Sequence, residues 1–484
     1  MSRFLKTLKD SPKRFGLSRP IGEEFPSVEE LCQTTRLTEF LKTANVFSGH
    51  DEVEHREKIV GNLSSLFKQW LQEMCTEMNV PQLVREQVGG KVLSYGSFAM
   101  GQNMKDADID LLCVGPRFIP RESFFSSFVE KLRGQQHVQV KHVLENAFVP
   151  VIKLIVDSVE VDMVYVKING RRVSDSLDLM DSTILQEMDV ISVRSLQGYR
   201  GTQEIMSLVP NAYTFRLALA AIKQWAKRRN IYSNMLGFLC GVSCGIMLAR
   251  ICQMCPYATA AVTVATFFRV YSSWNWASPV MLRVPEEQNC NLPSWHPSMT
   301  RQEQMAIITP SYPQQNSSYN VNPSTLKIMK EEIRRGHAIM EHGLQNGSLW
   351  KQLFEPSDFF KEYRNYVVLR VSAPTQAKQE EWSSYLQSRV RHLVEALGRN
   401  PNISAICPSS QSFTERDGLS TSLLLGIKIH SSAVNRLDLR SNAMRFIQRV
   451  YADAKSSTKG IHIDAKFSDR SRLKELIPAM RHRQ

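Results

Sequence analysis

Apolar residues return at two rhythms along this chain, and the switches between them outline its elements. Ile59, Leu63, Leu66 and Trp70 recur three or four apart, so the stretch 54–78 reads as an amphipathic helix. KVLSYGS (91–97) reads as a strand entering a turn, 108–114 as a second strand and 121–133 as a helix. Two apolar runs follow, AFVPVIKLIV (147–156) and VEVDMVYV (159–166), joined by Asp157-Ser158, which is the signature of a hairpin. In the second run Glu160 and Asp162 share one face, while Val159, Val161, Met163 and Tyr165 share the other. Residues 176–255 are mostly helical, most clearly over 215–227, and a Pro/Asn/Ser-rich connection (308–324) leads to a helix near 325–345. Beyond Phe360 the texture alternates: strand 365–374, helix 376–397, strands ISAICPS (403–409) and TSLLLGIKIHS (421–431), and a helix near 435–453. That alternation predicts a small ferredoxin or RRM-like sandwich. The chain shows no internal repeat.

Composition narrows the class. With 484 residues the chain is long for one core and predicts two to four domains, and 43% apolar and 22% charged residues are ordinary for a soluble protein. The net charge of +13 is less ordinary. It points to a polyanionic partner, nucleic acid or an acidic membrane surface, with a merely solubilising surface an equal alternative on charge alone. The excess is concentrated at the end, where 430–484 holds 12 Lys/Arg against 5 Asp/Glu. The N-terminal MSRFLKTLKDSPKRFG lacks the apolar core of a secretory signal. MLGFLCGVSCGIMLA (235–249) is too short to span a bilayer and reads as a buried helix. Nine cysteines without a compact framework fit a reducing compartment. If Cys240, Cys244, Cys252 and Cys255 share one helix, its ends lie roughly 22 Å apart, too far for one tetrahedral zinc.

Candidate chemistry lies in LSYGSFAMGQNMKDADIDLLCV (93–114). Gly96-Ser97 sits at a strand-to-helix turn, where exposed backbone N–H groups can cradle phosphate. Asp108 and Asp110, two apart in an extended chain, present their carboxylates to one face. Such a pair repels itself unless something compensates it, most simply a cation. A lone DxD is weak, because acidic pairs are common in solvated loops. Asp162 adds a third strand-borne carboxylate, and three carboxylates beside a phosphate turn suit two divalent metals acting on a nucleoside triphosphate. In IKQWAKRRNIYSNMLGFLCGV (222–242), Lys223 supplies a point charge suited to triphosphate, and Tyr232 can stack on a base or bond a ribose hydroxyl. On the residues alone, an exposed helical face is the favoured reading of Lys223 and Arg228.

The sequence resembles the nuclear poly(A) polymerases of eukaryotes, within the DNA polymerase β-like nucleotidyltransferase superfamily. The likeness runs from VFSGHDEVEHREKIVGNL through the aspartate box to SLDLMDSTILQEMDVISVRSLQGYR, IKQWAKRRNIYSNMLGFLCGVS, YSSWNWASPVML, ITPSYPQQNSSYNV and YVVLRVSAPT. The resemblance implies an α+β, multidomain enzyme that adds AMP from ATP to RNA 3′ ends without a template. Its expected parts are a basic N-terminal arm (1–14), a nucleotidyltransferase catalytic domain (55–167), a helical central domain (15–54 and 168–352) and an RRM-like RNA-binding domain (353–484). Family metal ligands fall on Asp108, Asp110 and Asp162, implying two Mg²⁺ or Mn²⁺ ions. ATP contacts fall on Tyr95, Gly96, Ser97, Met104, Lys223, Tyr232, Asn234, Gly241 and Val242, together with the three aspartates.

This chain departs from the family at Tyr95 (usually Phe), Ala99 (usually Arg), Met104 (usually Thr) and Gln197 (usually Asn, near the ATP sugar). The expected partners are an RNA 3′ end and the cleavage and polyadenylation machinery, with no membrane and no second copy of the chain. The expected location is the nucleus. The Ser/Thr-rich basic tail of the long vertebrate forms has no counterpart here, so its import signals do not carry over and the cytoplasm is the alternative. Two rival readings are a terminal nucleotidyltransferase that uses UTP or several bases, and a catalytically idle RNA-binding paralogue.

Overall fold

Ile59, Leu63, Phe67, Trp70 and Leu71 form one buried stripe on the helix His50–Glu77, the element that the 54–78 periodicity predicts. The computed structural model describes residues 15–480 apart from 23, 106, 286–291, 302, 344–347, 431–437, 455 and 478. The basic arm expected at 1–14 lies outside the described residues. The buried stripe packs on a five-stranded sheet made of β1 (Lys91–Tyr95), β2 (Ile109–Gly115), β3 (Val138–Leu144), β4 (Val151–Val156) and β5 (Val159–Lys167). The spatial order is β1-β2-β5-β4-β3; β2 and β5 run parallel and the other neighbours antiparallel. Phe67, Trp70, Phe124, Phe128 and Tyr165 interlock on this face, most closely where Phe124 stacks on Tyr165 at 4.9 Å. On the other face Leu112, Val114, Val164 and Val166 meet Val193 and Leu196 of the helix Val190–Leu208. The two central strands are therefore buried on both sides, which explains their near-continuous apolar runs.

Some expectations need correction. The helix read over 121–133 is two short ones, Arg121–Phe125 and Ser127–Arg133, because Ser126 between them leaves helical geometry (φ −111°, ψ −83°). The hairpin turn does form at Asp157-Ser158, with both residues at positive φ (46° and 69°), as a two-residue turn between twisted strands requires. Strand β3 has no counterpart in the sequence reading.

The helices Ala212–Arg228, Gly241–Met254, Ala260–Ser272 and Pro323–Gly343 gather around Trp225, Phe267, Phe268 and Met329. Cys240 and Cys255 cap the two ends of Gly241–Met254, so the four clustered cysteines string along one helix, and the eight described cysteines are all free. Among the described residues no single helix is long and apolar enough to cross a membrane; only the pair Val190–Leu208 and Ala212–Arg228, bent by 120°, passes by length and composition together.

The last third runs β6 (Asn365–Ser372), helix Gln376–Gly398, β7 (Ile403–Thr414), β8 (Ser420–Ile429), helix Arg440–Ala452 and β9 (His462–Asp469), in the antiparallel order β7-β8-β6-β9. This βαββαβ unit is the ferredoxin or RRM-like arrangement that the alternation predicts. Its core, with Trp382, Leu393 and Leu425, is continuous with that of the helical region. The ring of Tyr363 fills the space against Gly426 in the middle of β8, where a Cβ would collide with it.

Candidate active site

One row of paired residues crosses four strands of the first sheet. Tyr95 pairs with Asp110, Asp110 with Asp162, and Asp162 with Lys153. Paired residues point to the same face, so the register alone sets two carboxylates side by side between a phenol and an ammonium. Asp108 stands one residue before β2 and is exposed, rather than within the strand as expected. One carboxylate oxygen from each of Asp108, Asp110 and Asp162 falls within 4.8 Å of the others.

The electrostatics follow from that crowding. Burial raises the Asp110 carboxyl to about 7, and Asp108 and Asp162 add to the rise, with Lys153 and Lys223 opposing it. Burial also raises Asp162, although the Lys153 ammonium donates a hydrogen bond to Asp162 Oδ2. Burial and the three carboxylates push the Tyr95 phenol well up. Three close carboxylates with one direct ammonium contact among them are a donor set that fits divalent cations.

The turn before this row is held from several sides. Gly96 has φ +67°, its N–H donates to Thr202 Oγ1 at 2.9 Å, and a Cβ there would run into Asp110 Oδ2. Arg56, buried on the helix His50–Glu77, donates to the carbonyls of Lys105 (2.9 Å) and Ala107 (2.5 Å), and the Ser48 N–H donates to Asn103 O at 2.7 Å. The approach to Asp108 is thereby pinned by the segment VFSGHDEVEHREK.

Facing the row is a second group from the helical region. Lys223 is only 6% exposed, which overturns its reading as an exposed face, whereas Arg228 is exposed. Burial lowers the Lys223 ammonium, and its Nζ donates to Gln102 Oε1 at 2.6 Å. A Cβ on Gly241 would lie 3.1 Å from the Tyr232 hydroxyl and 3.6 Å from Lys223 Nζ, so these three residues converge at the start of the helix Gly241–Met254. Burial raises the Tyr232 phenol, and Asp108 and Asp110 contribute after Cys244 and Cys240, so the two groups share one electrostatic neighbourhood.

The other expected contacts are spread more widely. Val242 is 42% exposed. The Ser97 carbonyl accepts the Gln102 N–H at 3.2 Å. Asn234 Nδ2 donates to Ser317 O (2.7 Å) and its Oδ1 accepts from Asn320 (2.6 Å), which in turn accepts from Arg391 of the last domain. Met104 is 4% exposed, bridges by backbone to Phe47 and puts its side chain in the core. Gln197 Nε2 donates to Tyr312 O at 2.9 Å, and its Oε1 accepts from Ser311 at 3.3 Å. Lys153, Arg56, Thr202 and Gln102 were not picked out from the sequence. Lys153 had a readable signal: counting outward from the Asp157-Ser158 turn puts it opposite Asp162.

The chain matches three family models in succession: "Poly(A) polymerase nucleotidyltransferase domain" over 16–209, "Poly(A) polymerase central domain" over 214–356 and "Poly(A) polymerase predicted RNA binding domain" over 358–422. The poly(A) polymerase of Dictyostelium discoideum is 34% identical over 432 residues, 87% of this chain and 53% of that protein. Nuclear poly(A) polymerase 4 of Arabidopsis thaliana is 33% identical over 452 residues, 91% of this chain and 61% of that one. The chain thus spans a little over half the length of these relatives. A solved structure of Cid1, concerned with its RNA terminal uridylyl transferase activity, aligns with a TM-score of 0.48 at 14% identity, over 68% of this chain and 99% of the other.

Proposed function

The chain belongs to the poly(A) polymerase family, and from that premise we propose that it transfers AMP from ATP to the 3′ end of RNA without a template. The observation that carries this reading is the convergence of Asp108, Asp110 and Asp162, with Lys223 and a helix start facing them. In the reaction the RNA 3′-oxygen bonds to the α-phosphorus, the bond to the β-phosphate oxygen breaks, and pyrophosphate leaves. Asp108, Asp110 and Asp162 would hold two divalent ions, Mg²⁺ or Mn²⁺, which when bound lower the pKa of the 3′-hydroxyl and neutralise the leaving pyrophosphate. No histidine base is then needed.

The chain's own groups orient the substrate. Gly96 lets the Gly96-Ser97 turn approach triphosphate without a Cβ in the way. Lys223 meets phosphate charge, and its buried setting makes that contact stronger than it would be in water. Tyr232 and Val242 offer surfaces to the base or ribose, and Gly241 leaves room beside them. With no template strand, base choice rests on this pocket.

RNA would be held by the basic last domain. Of the described aromatics on its sheet, Tyr366 and Phe413 are 1% and 4% exposed, and only Phe467 on β9, 39% exposed, is open to a base. The contact is expected at basic helix and strand surfaces, through phosphates. The relatives named nuclear poly(A) polymerases support action in the nucleus, and the resemblance of the sequence extends the proposal to messenger RNA ends and a cleavage and polyadenylation machinery.

The test is extension of an oligo(A) primer with ATP and Mg²⁺ by the wild type and by Asp162→Ala. The variant is expected to lose extension by roughly a thousandfold or more. Undiminished extension would remove Asp162 from the reaction.

A further inference from the structure

We propose that Gln102 is an additional anion-binding residue, whose side-chain amide donates to the same phosphate group that Lys223 meets. Gln102 lies within the aspartate motif, in the stretch GQNMKDADID, yet no role above accounts for it. Its side chain is 2% exposed. One end is occupied: Oε1 accepts from Lys223 Nζ at 2.6 Å. That bond fixes the amide's orientation, because an ammonium can only donate. The other end, Nε2, is buried and has no hydrogen-bond partner.

A buried N–H₂ without an acceptor is costly, and of the four such amides among the described residues (Gln102, Gln314, Asn316 and Asn322) this one is bonded to Lys223 beside the aspartate site. Here it sits on the same amide carbon as the oxygen that holds Lys223. Around it the fold collects positive character. The first N–H groups of the helix Gly241–Met254 have no intrahelical acceptor, and Gly241 lies against Lys223. An oxyanion placed beside Lys223 would satisfy Nε2 as well as the ammonium. The chemical class is a polyphosphate: the triphosphate of a nucleotide, or the pyrophosphate it releases.

The backbone holds this amide in place beforehand. The Gln102 N–H donates to the Ser97 carbonyl at 3.2 Å, and Arg216 Nε donates to Met100 O at 2.5 Å. Gly101 takes φ +70° against the Arg216 guanidinium. The Ser48 N–H fixes Asn103 O on the other side. Gln102 therefore joins the Gly96-Ser97 turn to Lys223 on the facing helix.

This inference rests on the adenylyl-transfer reading for its natural ligand, but inorganic tripolyphosphate, which carries no base, tests it separately. Equilibrium binding of tripolyphosphate and of adenosine is measured on the full chain for the wild type, Gln102→Leu, Lys223→Met and the double variant. Gln102→Leu is expected to weaken tripolyphosphate about tenfold, in both the wild-type and the Lys223→Met background, and to leave adenosine unchanged. A loss that disappears in the Lys223→Met background would make Gln102 only a prop for Lys223 and overturn the proposal. So would a Gln102→Leu affinity equal to that of the wild type. Gln102→His, which keeps a donor, is expected to retain most of the affinity and guards against a folding defect. Gln102-dependent tripolyphosphate binding without extension from any nucleotide would sink adenylyl transfer and spare this site. Normal primer extension with no Gln102 effect would do the reverse.

Discussion

At Asp110, burial and two neighbouring carboxylates raise the acid to about 7, against 3.8 for a free side chain. Between those values the folded protein keeps a proton that the unfolded chain has lost, so this group removes stability as pH rises from about 4 to about 7 and changes little above that. In chelator, Asp110→Asn is expected to raise Tm at pH 8 by a few degrees, with the gain shrinking as pH falls towards 4. Thermal unfolding across pH checks this, and equal curves for both proteins would contradict it. The same carboxyl predicts that Mn²⁺ binding releases protons near neutrality and weakens below pH 7. Gly96 makes a second case. Gly96→Ala would take a backbone strained by about 1–3 kcal/mol and push its Cβ towards Asp110 Oδ2. It is expected to weaken Mn²⁺ binding and extension together, whereas wild-type values for both would show that the turn tolerates a side chain.

Strands buried on both faces were legible in the sequence, and so were two edge strands, β1 and β7, but the other two edges were not. The apolar runs at 108–114 and 159–166 marked β2 and β5 because both faces of those strands are covered. The missed strands, β3 and β9, each lie at one edge of their sheet with several exposed residues, and have only short alternations (Val138-Gln139-Val140-Lys141 and 463–467) without an apolar run to mark them. Asp108 was placed on a strand because D-I-D looks extended, but it falls just outside the ladder. The third carboxylate was readable from alternation in the hairpin. Gln102, Arg56 and Thr202 were not, since their roles depend on contacts between segments far apart in the chain. The core of the first sheet carries its own prediction. Phe67→Ala removes a fully buried ring from the aromatic cluster and is expected to cost about 3–5 kcal/mol. Denaturant unfolding followed by tryptophan fluorescence reads it, and a loss below about 1 kcal/mol would mean that the cluster repacks around the gap.

For the whole molecule, the net charge of +13 and the basic final segment would set how RNA is held in the proposed reaction. Backbone contacts release counterions, so affinity for an oligo(A) primer is expected to fall roughly tenfold or more between 50 and 200 mM salt. A salt-independent affinity would point to base stacking instead. The catalytic sheet has a core of its own, while the helical region and last domain share one. The candidate site lies where these parts face each other, with Asp110 and Asp162 on one side and Lys223 and Tyr232 on the other. The central claim is that this site selects ATP and joins AMP to RNA. The most direct measurement extends one oligo(A) primer with each of the four nucleoside triphosphates in turn, with Mg²⁺, using the wild type and Asp162→Ala side by side. Long extension by the wild type with ATP alone, and none by the variant, is the expected result. Extension with UTP equal to or faster than that with ATP, or no extension with any nucleotide, would contradict it.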